Sequence, residues 1–217
     1  DHLNWLQKGG LDILAQQMAR ANVVPVMFTD WGPIYIFSRK PVKTLADLKG
    51  MSVRAGSPLH SDILSALGAS PTVIFAGEAY EAAQRGVVDA DDASIGFHLS
   101  SKQGEFFKYV LINPPTNVDV GYVFVNKNAW DALPKDLQQL VLDVGNELTP
   151  KNFQDTISTD KGQRQTMVSA GETLSELSAT EVKAWDAALV PVLDKWLAKM
   201  SPLGKQGIDL ARSLKAK

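Results

Sequence analysis

Apolar residues along this chain switch between two spacings, and each switch predicts a new element. Leu3, Leu6, Leu11, Leu14 and Met18 recur at helical intervals, which predicts a helix over residues 3–21, interrupted at Gly9-Gly10. Residues 23–28 form a continuous apolar run with β-branched members, suited to a buried strand. A loop at 29–33 and a second strand at 34–37 follow. Thr44-Leu45-Ala46-Asp47 is a capping box, which starts a short turn at 45–48 that Gly50 stops. Strand 51–54 leads into Ser57-Pro58, an N-cap residue followed by proline at the first helical position.

The pattern repeats downstream. A helix runs to Leu67, a strand covers 72–75, a helix covers 78–85, and a strand at 87–90 carries Asp91-Asp92 at its C-terminal end. A helix over 100–107 and strands at 109–112 and 120–125 complete it, with Asn113-Pro114-Pro115 turning the chain. Alternating strands and helices predict an α/β fold. Beyond Leu133 the pattern is helical. Leu137, Leu140, Val141, Val144 and Leu148 share one face, and Pro150 is a candidate kink in a helix that continues to about Ser169. A second capping box, Ser178 to Glu181, opens a helix bearing Val182, Trp185, Leu189, Val192, Leu193 and Trp196, with Pro191 inside it. A short helix over 206–214 ends the pattern.

Composition narrows the function. The 217 residues are 45% hydrophobic and carry a formal net charge of -2 with no basic block, which argues against a nucleic-acid partner. With no cysteine, thiol catalysis, disulfides and cysteine-based zinc sites are excluded. No apolar run is long enough to span a bilayer, so membrane insertion is not expected. No nucleophile elbow, zinc-protease motif or glycine-rich phosphate loop is present, and the enzyme reading is left with the Asp91-Asp92 pair.

Four segments in order carry a resemblance: P-V-K-T-L-A-D-L-K-G-M-S-V-R, L-G-A-S-P-T, E-A-Y-E-A-A-Q-R-G-V-V-D and F-V-N-K-N-A-W-D-A-L-P-K-D-L-Q. Over roughly residues 25 to 170 the chain resembles the DctP-type solute-binding proteins of TRAP transporters. The resemblance implies a periplasmic receptor with a two-lobe, periplasmic-binding-protein-like α/β fold and long bracing helices. The lobes close over a small organic acid, which is then delivered to membrane permease subunits. It also implies that the first lobe is incomplete here: residues 1–32 are its tail, 33–118 the second lobe, and 119–217 the return to the first lobe plus bracing and C-terminal helices.

The resemblance also assigns the site. Arg54 matches the family's carboxylate-binding arginine, a planar fork suited to two charge-assisted hydrogen bonds. Family members often read D-G-Q-E-N where this chain reads D-A-D-D-A at 89–93, so Ala93 takes the place of a ligand-touching Asn. Asp91 and Asp92 then face a ligand donor or a cation such as calcium, or form a solvated turn, while no cofactor is otherwise called for. Trp31 and Tyr35 are candidates to stack on the ligand, Phe75 to form a wall, and Asn117, ahead of Asp119 and Tyr122, to contact it. His60 and His98 read as packed or surface residues, and Trp130, Trp185 and Trp196 as packing. The rival function is an extracytoplasmic sensor domain with the same pocket, and a carboxylate-dependent enzyme stands behind it.

Overall fold

The computed structural model describes residues 2–114 and 118–215. In chain order the elements are α1 (His2–Trp5), a π-helical turn (Leu6–Gly10), α2 (Leu11–Ala19), β1 (Val23–Ser38), α3 (Leu45–Leu48), β2 (Ser52–Ala55), α4 (Pro58–Ala66) and β3 (Ser70–Val73). After them come a 3₁₀ turn (Ala76–Glu78), α5 (Ala79–Gln84), β4 (Ala90–Ser94), α6 (Ile95–Ser100), a 3₁₀ turn (Gln103–Glu105) and β5 (Tyr109–Leu111). Then β6 (Val118–Asn126), α7 (Lys127–Asp131), α8 (Lys135–Ser169), β7 (Thr173–Ser175), α9 (Ala179–Lys199) and α10 (Pro202–Lys215). The chain forms two compact units. One comprises Asp1–Asp30, Val120–Ile157 and Trp196–Lys217, the other Trp31–Asp119 and Ser158–Lys195.

The second unit is built on a mixed sheet in the order β3-β2-β4-β1-β5-β7. β2 runs parallel to β3 and β4, β5 runs parallel to β7, and β1 is antiparallel to both β4 and β5. Side chains alternate across the sheet, so each strand feeds two cores. Ile36, Val53, Ala55, Ala90 and Leu111 enter one core with Leu48, Leu64 and Trp185. Tyr35, Phe37, Ala93 and Val110 enter the other with Ala83, Phe107 and Met167. The stripe Leu177, Val182, Trp185, Leu189 and Val192 joins the first core. That packing brings Ser158–Lys195 into this unit.

Local signals are realised with few changes. Thr44 and Asp47 close a capping box at α3, and Ser57 caps α4 by accepting the His60 N–H, with Pro58 at its first position. The helix expected at 100–107 lies earlier. Ser94 accepts the Phe97 N–H and starts α6, and Lys102, at φ 55°, ends it in the left-handed region. The loop expected at 29–33 is absent: β1 continues through it, with Gly32 at φ 86° relieving the backbone. β7 carries no pattern of its own and exists by pairing with β5.

In the first unit, β6 pairs with β1, and the Lys127 N–H donates to Asn22 O where the pair ends. Leu6, Phe28 and Phe153 form its buried centre, with Tyr122 edge-on to Phe28 at 5.5 Å. One face of α8 is stitched to the backbone of β1. Thr149 Oγ1 accepts the Phe28 N–H, Asn152 Oδ1 accepts the Asp30 N–H, and Thr156 Oγ1 donates to Asp30 O. α8 continues past Pro150 as one helix.

Candidate functional site

Strand register brings the chemistry together. Arg54 on β2 lies opposite Asp91 on β4, so the two side chains leave the sheet on the same face. Arg54 Nη1 stands 3.2 Å from Asp91 Oδ1, and its Nε donates to Ile74 O at 2.9 Å. The guanidinium carbon lies 5.0 Å from the centre of the Phe97 ring. Three directions around the group are therefore taken. Among the described residues Nη2 makes no hydrogen bond, although the side chain as a whole is only 8% exposed. The result is a cation fixed in orientation with one donor edge uncommitted.

Asp91 and Asp92 are not a solvated turn. Both are fully buried within β4, because the strand starts three residues later than the apolar run at 87–90 suggests. As neighbours on a strand they point to opposite faces, and each meets its own cation. Burial pushes the Asp91 carboxyl up to about 6, with the Arg54 charge pulling against it. Asp92 Oδ2 lies 2.7 Å from His60 Nδ1, and His60 Nε2 lies 3.2 Å from Asp119 Oδ1. Burial alone would lower the His60 pKa, but the carboxylates of Asp119 and Asp92 outweigh it and raise it to about 10. Burial also raises the Asp92 carboxyl above the usual carboxylate range, against the hydrogen bond and then the charge of His60. We assign the shared proton to the ring, since the carboxylates of Asp92 and Asp119 bracket it on both nitrogens.

That proton has a consequence for stability. The folded form holds it up to about pH 10, whereas an ordinary histidine releases it near 6.5. The stabilisation from His60 is therefore complete below 6.5 and is lost as pH rises toward about 10. Urea melts of the native chain should show stability falling steadily across that window, and His60→Gln should flatten the slope. An unchanged slope in His60→Gln would contradict the assignment of the proton.

The other candidates are placed as follows. Phe75 is 74% exposed and directly follows Ile74, whose carbonyl holds Arg54. Trp31 is 60% exposed. Tyr35 is not a stacking surface: it is buried, its hydroxyl donates to Asp160 Oδ1 at 3.1 Å and accepts from Arg164 Nη2 at 2.6 Å, and its ring meets Phe37 edge-on. Burial, then the Asp160 charge, pushes its hydroxyl up to about 12. Asn117 lies outside the described residues. As for calcium, Asp91 and Asp92 do not converge on one point, and no cluster of three or more His, Asp or Glu suited to a metal occurs among the described residues.

Sequence reasoning passed over two contributors. His60 reads as an ordinary helix residue, yet it sits three positions after the N-cap that follows the arginine strand, and so can reach back to β4. Phe97 is fixed by the Ser94 cap and covers the guanidinium. His98, read as packed or surface, is packed: it is buried, stacks on Phe37 at 3.9 Å and lies 3.0 Å from Glu172 Oε2.

The model of bacterial extracellular solute-binding protein family 7, DctP, matches residues 1–200. A solute-binding protein of Roseobacter denitrificans is 29% identical over 205 residues, which cover 90% of this chain and 61% of that protein. The C4-dicarboxylate-binding periplasmic protein DctP of Rhodobacter capsulatus is 29% identical over 188 residues, covering 84% of this chain and 55% of that protein. This chain thus spans less than two thirds of the length of either relative. Among solved structures, DctP7 of Bordetella pertussis, an extracytoplasmic solute receptor binding pyroglutamic acid, superposes with a TM-score of 0.90 at 29% identity, over 96% of this chain and 69% of that one. No helix among the described residues is long and apolar enough to cross a membrane.

Proposed function

We propose that this chain, which belongs to bacterial extracellular solute-binding protein family 7, DctP, acts in a periplasmic receptor that holds a small organic acid by its carboxylate at Arg54 and passes it to a TRAP-type membrane permease. One observation carries the reading. The Arg54 guanidinium is buried, oriented by Asp91, Ile74 O and Phe97, and has an edge left over. A surface arginine in a stabilising ion pair has no need of three separate restraints. A carboxylate clamp does, because affinity and orientation both depend on the fork being fixed beforehand. The members of this family are solute-binding proteins, and the pyroglutamic acid receptor of Bordetella pertussis supports a small carboxylate as the ligand class. Delivery to a permease and periplasmic location are carried over from the family. No acid–base chemistry on the ligand is part of the proposal.

The neighbouring Asp91 supplies a signature. As pH falls through about 6 its carboxylate becomes neutral, and a bound anion no longer faces a like charge. Affinity for an acid that stays ionised should then rise about tenfold between pH 7.5 and pH 5, in line with one like charge removed at a partly screened contact distance. Isothermal titration with pyroglutamate and galacturonate, whose carboxylates stay ionised throughout, across that range is the test. In Asp91→Asn the dependence should vanish. Binding of none of these acids, or binding untouched by pH in the native chain, would count against the site.

A further inference from the structure

Gly56 is exposed and sits just past the end of β2, two residues beyond Arg54. Two ordinary reasons for a glycine do not apply to it. Its φ is not among the positive values, so the backbone there accepts an L side chain. Nor is it crowded: a β-carbon added at this position would first meet Arg54 Nη2 at 3.6 Å, Nη1 at 3.7 Å and Cζ at 3.8 Å, all ordinary contact distances. An alanine therefore fits the fold. What it would change is the guanidinium, since all three nearest atoms belong to that group.

The three distances are nearly equal, which fixes the direction. A methyl approaching in the guanidinium plane would stand distinctly nearer the two nitrogens than the carbon. This one would instead lie over the plane. The Phe97 ring also lies against this small group, with its centre 5.0 Å from Cζ, and no Phe97 atom is among the three nearest to the added methyl. The glycine thus leaves open a space directly against a cation that Asp91, Ile74 O and Phe97 already contact.

We propose that Gly56 sets the bulk allowed beside the ligand's carboxylate. The open space admits acids whose carbon next to the carboxylate is branched or part of a ring. A side chain at this position would restrict the site to slender acids. The inference rests on Arg54 being the carboxylate-binding group, and it assigns Gly56 a specificity role that the clamp alone does not require.

The test compares two ligand shapes on Gly56→Ala and Gly56→Val. Pyroglutamate and galacturonate carry the carboxylate on a ring carbon, whereas malonate and acetate carry it on an unbranched one. Isothermal titration should show affinity for the ring acids falling at least tenfold in Gly56→Ala and further in Gly56→Val. Malonate and acetate should stay within about threefold. The melting temperature of Gly56→Ala should match that of the native chain, so if the valine variant folds poorly the alanine variant still decides. Equal effects on both ligand shapes, or no effect on either, would overturn the role of Gly56. In that case loss of all four acids in Arg54→Ala would leave the carboxylate reading standing. If the native chain binds none of the four, that reading falls and the role of Gly56 falls with it.

Discussion

Arg54→Ala is expected to weaken binding of small carboxylates by about 2–5 kcal/mol, the loss seen when one partner of a buried charged pair is truncated. In dissociation constants this is roughly 30-fold to several thousand-fold, large enough to read as no binding in a titration at ordinary concentrations. Two effects act together. The ligand loses its charge-assisted hydrogen bonds, and Asp91 loses the cation 3.2 Å away that offsets its burial. The second effect touches the fold as well as the site. Asp91 should then take up a proton at neutral pH, since its carboxyl is already pushed up to about 6 with Arg54 present. The double variant Arg54→Ala/Asp91→Asn removes the stranded charge and should recover much of the stability without recovering binding. Tight carboxylate binding by the folded double variant would end the assignment of Arg54 as the clamp.

The second large effect is structural. Gly145→Ala should destabilise the chain by about 3 kcal/mol or more, at the upper end of what overpacking costs. A β-carbon at 145 would fall 1.7 Å from Val26 O and 2.9 Å from Val26 C. Both are backbone atoms of β1, so no side chain can swing aside to make room. The helix cannot simply lift away, because Thr149, Asn152 and Thr156 on the same face hold the backbone of β1 from Phe28 to Asp30. Gly162 on the same helix is a control. Nothing lies within 4 Å of a β-carbon there, so Gly162→Ala should stabilise by about 0.5–1 kcal/mol through helix propensity. Chemical denaturation of the two variants should show opposite signs. A Gly145→Ala variant as stable as the native chain would mean that α8 does not lie this close to β1.

These expectations differ in how far the sequence alone reaches them. The Thr44 and Ser57 caps, the helix stops and the alternating elements depend on residues within a few positions of one another, so adjacent sequence encodes them. Arg54 is legible for the same reason: the motif around it is local, and so is its position near the end of a strand. The partners are another matter. Asp91 is 37 residues from Arg54, and Glu172 is 74 from His98. No local pattern states that they meet. The acidic pair shows the limit well. Read along the chain it is a polar turn after an apolar run, and only pairing with β1 and β2 turns it into the centre of a buried strand.

By itself, then, the sequence determined an α/β succession of elements, the resemblance to a solute-binding family and a candidate arginine near the end of a strand. Periodicity, capping and motif order are properties of neighbouring residues and survive without a fold. The tertiary structure alone decided that Asp91 steers Arg54 while Asp92 engages His60, that Tyr35 belongs to the core, and that residues 158–195 pack with the second unit. It also decided that Gly145 sits against a carbonyl and Gly56 against a guanidinium. Each of these depends on burial and on distances between segments remote in the chain. Burial is what sets the charge states around Arg54, and it exists only once those segments have come together.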